Sequence, residues 1–138
     1  MNLSENIGGG SVKFSFKKDE RLCSKKVMDR LFLEGKSFFV FPLKIVYLET
    51  KLPTNSPVQA AFSVAKRNFK RAVQRNLIKR RMREVYRLNK MRLYDKIGEK
   101  QVAVFFIYTG KTILEYNQIE SAIIKGIKML ITGLKTDS

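Results

Sequence analysis

Ten Lys or Arg residues and a single acid, Glu84, lie between Lys66 and Arg87, in KRNFKRAVQRNLIKRRMREVYR. Wound as a helix at about 100° per residue, this stretch sets Ile78, Met82 and Val85 on one stripe. Asn76, Arg80, Arg83 and Arg87 fall nearly opposite, with Lys79 beside them. One side suits a core and the other a polyanion. Cations this close repel one another when no acids intervene, so an external anion explains the pattern better than a solvated face does. From Arg75 to Arg87 Arg outnumbers Lys, and a guanidinium grips phosphate oxygens with a fork of hydrogen bonds. Asn76, set among them, can bond a base edge or a 2′-hydroxyl.

The rest of the composition removes other chemistries. The chain of 138 residues carries a formal charge of +16, no His and one Cys, Cys23. Zinc-finger spacing, His-based triads and an intramolecular disulfide are therefore excluded. Cys23 reads as a small, partly buried thiol near a helix start. The sequence offers no pair of clustered carboxylates for two-metal hydrolysis, which argues against a nuclease in its own right. A basic amphipathic helix can also lie on an anionic membrane, but the apolar stripe is narrow and lacks Trp. MNLSENIGGG has neither a basic nor an apolar region of a signal peptide, and the apolar run Val102 to Tyr108 is too short to span a bilayer. A cytoplasmic protein without a membrane partner is expected.

The elements that must hold the basic stretch follow from period and punctuation. Residues 1–12 are rich in Gly and Ser and read as a flexible tail, residues 13–133 as one domain, and residues 134–138 as a frayed end. Phe14 to Phe16 reads as a short extended segment. Ser24 is placed to cap a helix ending at Glu34, with Val27, Met28, Leu31 and Phe32 on its buried side and Gly35 as the stop. FFVFPLKIVYLE, from Phe38 to Glu49, reads as a strand, with Leu43, Ile45 and Tyr47 on a common face and Pro42 marking either an edge position or a start just after it. LPTNSP is a turn to a hairpin partner over Val58 to Ala65. The basic helix is expected from Arg71 to Asn89, Val102 to Tyr108 as a central strand, and a last helix from a cap at Asn117. The order is helix, strand, strand, helix, strand, helix, a small α+β two-layer sandwich with one βαβ unit. A strand rather than a second helix precedes the basic helix, which suits an αβ platform gripping folded RNA better than a major-groove DNA reader.

FSVAKRNFKRAVQRNLIKRRMRE closely resembles the signature of the bacterial ribonuclease P protein subunit, and MDRLFLEGKS resembles the first-helix segment of that family. The resemblance runs from about Phe16 to Leu130. It implies a noncatalytic protein joined to a large catalytic RNA, the two together removing the 5′ leader of precursor tRNA, with Mg²⁺ bound mainly by the RNA. It also implies a left-handed βαβ crossover, against the right-handed default. Carried onto this chain, Arg75, Asn76, Lys79, Arg80 and Arg83 match the helix that contacts the catalytic RNA, and Lys70, Arg71 and Arg87 of the same basic stretch are assigned to that RNA with them. Ser63, Lys66 and Arg67, with Phe32 and Tyr47, face the precursor-tRNA leader. For Phe32 and Tyr47, stacking on bases and packing in the core stand as equal alternatives. The chain departs from the family at Leu77, where an Arg is usual, and at Met28, where an aromatic residue is common. A ribosomal or other RNA-scaffolding protein is the second reading that composition allows.

Overall fold

The computed structural model describes residues 15–136; the expected tail over residues 1–12 lies outside them. Helix α1 (Lys25–Glu34) begins where the Ser24 hydroxyl accepts from the Val27 N–H at 3.3 Å and ends at Gly35, whose N–H donates to the Leu31 carbonyl. A side chain at position 35 would meet that same carbonyl oxygen at 2.3 Å. Cys23, just before the cap, is exposed rather than partly buried.

The aromatic run expected as one strand is two. Strand β1 (Lys36–Val40) turns back at Phe41-Pro42 into β2 (Leu43–Glu49), with Val40 paired to Leu43 and Lys36 to Tyr47. Proline has no N–H to continue a ladder, so one strand ends before Pro42 and the next starts after it. Strand β3 (Val58–Val64), helix α2 (Ala72–Tyr94), strand β4 (Val102–Tyr108) and helix α3 (Tyr116–Thr136) complete the order α-β-β-β-α-β-α. The sheet runs β1-β2-β4-β3, so β2 and β3 are not the expected hairpin. Instead β4 enters between them, antiparallel to β2 and parallel to β3. VAVFFIY has apolar side chains for both faces, and the interior position is where both faces are covered.

Side chains alternate across the sheet and divide the core in two. Ile45 and Tyr47 of β2, Ala60 and Val64 of β3, and Val104 and Phe106 of β4 lie under α2 and α3, against Ile78, Met82, Val85, Ile123 and Ile127. On the opposite face Val46, Ala103, Phe105 and Ile107 meet Leu31, Met28 and Val27 of α1. Helix α3 comes so close to β2 that a Cβ on Gly126 would stand 2.4 Å from Ile45 Cδ1.

Two helices outrun the sequence reading. Helix α2 continues past Asn89 to Tyr94 because Leu93 is fully buried and Lys90 is almost so. Helix α3 starts at Tyr116, leaving Asn117 in its first turn rather than at the cap, and it carries past residue 133 with Leu134 buried. The segment before α1 runs along the free edge of β3, where the Leu22 N–H donates to the Ala60 carbonyl at 2.9 Å.

Candidate nucleic-acid interface

The approach to α2 is built by two residues without a charge. After β3 the chain turns through Lys66–Arg71, and Phe69 drops into the core against Tyr108, ring centroids 6.1 Å apart. The Asn68 amide donates to the Thr109 carbonyl at 3.2 Å. These anchors leave Lys66, Arg67, Lys70 and Arg71 exposed at the N-terminal end of α2. The helix has no acid in its first turn and no side-chain cap at Arg71. Uncompensated cations beside the positive end of a helix dipole favour an external anion.

Along α2 the apolar stripe is as expected, with Ile78, Met82 and Val85 fully buried. Asn76, Arg80 and Arg83 are exposed, while Lys79, Arg75 and Arg87 are half-buried. The Arg75 guanidinium folds back onto the carbonyls of Phe69 and Lys70 at 2.7 and 2.9 Å, so it stiffens the turn as well as contributing charge. Arg87 pairs with Glu84. Leu77 is half-buried beside this face.

The cationic line stops one turn later. Lys90 continues the spacing of Arg83 and Arg87, yet its ammonium is buried and donates to the Glu20 carboxylate and the Ser15 carbonyl. Burial pushes the Glu20 carboxyl up, but hydrogen bonds from Lys90, Tyr94 and the Lys17 N–H outweigh it and hold the group below its ordinary value. Burial and the same carboxylate push the Tyr94 phenol far up. Upstream in this segment, Arg21 stacks over Phe16 at 5.6 Å and shares a hollow with Arg83 of α2 and Ala61 of β3. Arg21 therefore belongs to the basic surface although it lies 45 positions before Lys66 in the chain.

The second surface is the sheet face beside α1. Phe32 is 54% exposed, its ring 5.3 Å from that of Phe105. Val46, Phe105 and Ala61 form one cross-strand row of this face, and Lys44, Ile107 and Ser63 the next. Among the described residues no group of three or more Cys, Asp or Glu side chains could hold a metal ion. No helix among them is long and apolar enough to cross a membrane.

Comparison with known proteins gives this arrangement a family. The Ribonuclease P family model matches residues 16–130. The ribonuclease P protein component of Porphyromonas gingivalis is 36% identical over 116 residues, which cover 83% of this chain and 85% of the relative. The chain belongs to the ribonuclease P protein family. The Chlorobium phaeobacteroides component is 34% identical over 121 residues, 79% of this chain and 83% of the relative. Among solved structures, the RNase P protein of Staphylococcus aureus shares the fold at a TM-score of 0.64 and 22% identity, covering 82% of this chain and 96% of that one. The Thermotoga maritima protein does so at 0.64 and 20%, covering 80% and 96%.

Of the two alternatives for Tyr47, leader stacking or core packing, the structure shows the second. Tyr47 is 7% exposed and packs in the core beneath α3, on the face opposite Phe32, where a Cβ on Gly133 would meet its hydroxyl at 2.3 Å. The strand period decides this, since Tyr47 shares a face with Ile45 and Leu43. Its neighbour Val46 is the β2 residue that points toward α1. Phe32, expected on the buried side of α1, lies at the surface instead, 54% exposed. Asn68, Phe69 and Arg21 were missed in the sequence; the one signal was Phe69, an apolar residue inside a basic run.

Proposed function

We propose that this chain is the noncatalytic partner of the ribonuclease P RNA and helps that RNA remove the 5′ leader of precursor tRNA. The observation that carries the reading is the division of α2, which buries Ile78, Met82 and Val85 and presents Asn76, Arg80 and Arg83. On this reading the exposed face of α2 and the cations at its N-terminal end bind the catalytic RNA by phosphate contact, released counterions supplying much of the affinity. The leader lies on the other face, stacking on Phe32 and running by Ser63 toward Lys66 and Arg67. The hollow shared by Arg83 and Ala61 supports one continuous RNA-binding surface around the β3 edge.

Mg²⁺ is assigned to the RNA. Guanidinium, ammonium, amide and hydroxyl groups line both surfaces, and that donor set does not fit a divalent cation that wants carboxylate oxygens. No chemical step is routed through this chain: its residues bind, orient and screen charge. The relatives named as ribonuclease P protein components favour this over a ribosomal scaffold. Purified protein added to its cognate RNA at low Mg²⁺ should raise precursor-tRNA cleavage. Unchanged cleavage and unchanged substrate affinity would sink the reading.

A further inference from the structure

Two aromatic rings at the outer edge of the sheet have no role in the account above. Phe39 and Phe41 are 57% and 66% exposed, with centroids 6.5 Å apart. Phe39 pairs with Lys44, Lys44 with Ile107, and Ile107 with Ser63. These four residues form a row across all four strands, three strand spacings or about 14 Å long, on the face that carries Phe32. The row joins the strand end assigned to the leader with the β1 edge. Around that edge, Phe39 and Phe41 share a hollow with Lys125 and Met129 of α3, and Lys128 lines the hollow beside it. Among the described residues, no Asp or Glu lines either hollow.

We propose that single-stranded RNA crossing the sheet continues over β1, with bases stacked on Phe39 and Phe41 and phosphates drawn to Lys44, Lys125 and Lys128. The proposal rests on the RNA-binding reading and extends it to a surface that reading leaves idle. Exposed rings alone would suit many partners, but rings set among lysines without acids match a planar, polyanionic strand. A second copy of this chain would bring lysine against lysine, on a protein already at +16.

The chain has no Trp, so Phe41→Trp introduces a lone indole that still stacks. Its emission should be quenched by a single-stranded oligoadenylate long enough to span the sheet. Phe39→Ser with Phe41→Ser should lower holoenzyme affinity for a precursor with a long leader about fivefold or more, and leave that for a short leader much less affected. Thermal unfolding of each variant checks the fold. No quenching together with equal affinities would overturn the proposal. So would a wild-type dimer in sedimentation that the double substitution dissolves, since a second copy would then cover the rings. The oligoadenylate arm needs no RNA subunit, so it tests the rings even if cleavage is not stimulated and the ribonuclease P reading falls.

Discussion

Phe32 shows how one side chain can serve packing and binding at once. Its ring rests on Phe105 yet leaves half its surface to solvent, which is the condition for stacking on an unpaired base. Phe32→Ala should weaken holoenzyme affinity for leader-bearing precursor by roughly 1–3 kcal/mol, while affinity for mature tRNA stays near that of the wild type. Equal losses for both ligands in a binding titration would show that the ring only supports the fold. Tyr47 makes the complementary point. A period of two already put Tyr47 with Leu43 and Ile45, and that grouping was sound; what sequence lacked was which side of the sheet α1 covers. Arg75 differs again, because its two carbonyl partners lie in a turn whose shape is set by Asn68 and Phe69.

Elements were legible where one segment carries its own signal. Ser24 and Gly35 bound α1, and the spacing of Ile78, Met82 and Val85 sets the inner side of α2. Pairing order was not legible, because the insertion of β4 between β2 and β3 depends on pairs such as Val58 with Val102 and Leu43 with Tyr108, far apart in the chain, rather than on any local pattern. Pro42 signals an edge or a strand start just after it, and β2 does start at Leu43; the reversal that makes a separate strand of Lys36–Val40 has no local signal of its own. The close approach of α3 to the sheet gives an element-level test: Gly126→Ala places a methyl 2.4 Å from Ile45 Cδ1. Overpacking of this kind costs about 1–3 kcal/mol, and Ala in place of a helical Gly returns about 0.5–1 kcal/mol, so the urea midpoint should fall modestly and Ile45→Val in the same chain should recover part of the loss. A midpoint that Gly126→Ala raises would mean that Ile45 gives way to the methyl.

For the whole molecule, the N-terminal segment decides where the basic face ends. Glu20 neutralises Lys90 and ties that segment to α2 across 70 positions, a pairing that no local pattern announces. Glu20→Gln leaves a buried ammonium without its counter-charge, and such losses run to about 3–5 kcal/mol. The folded carboxyl titrates below its ordinary value of 4.5, so its stabilisation is complete above that pH and fades as pH falls through the lower folded value. The stability gap between wild type and Glu20→Gln, measured by urea unfolding, should therefore be wide at neutral pH and narrow in strong acid. A gap independent of pH would contradict the pairing.

The same charge distribution that makes isolated α2 self-repelling makes it a grip for RNA, and Arg80, exposed on its outer face, is the residue on which that claim turns. The most direct measurement is the assembly constant with the cognate ribonuclease P RNA over a range of salt, for wild type and Arg80→Ala. The account predicts weaker assembly for the variant and a log–log salt slope shallower by about one; identical constants and identical slopes would contradict it.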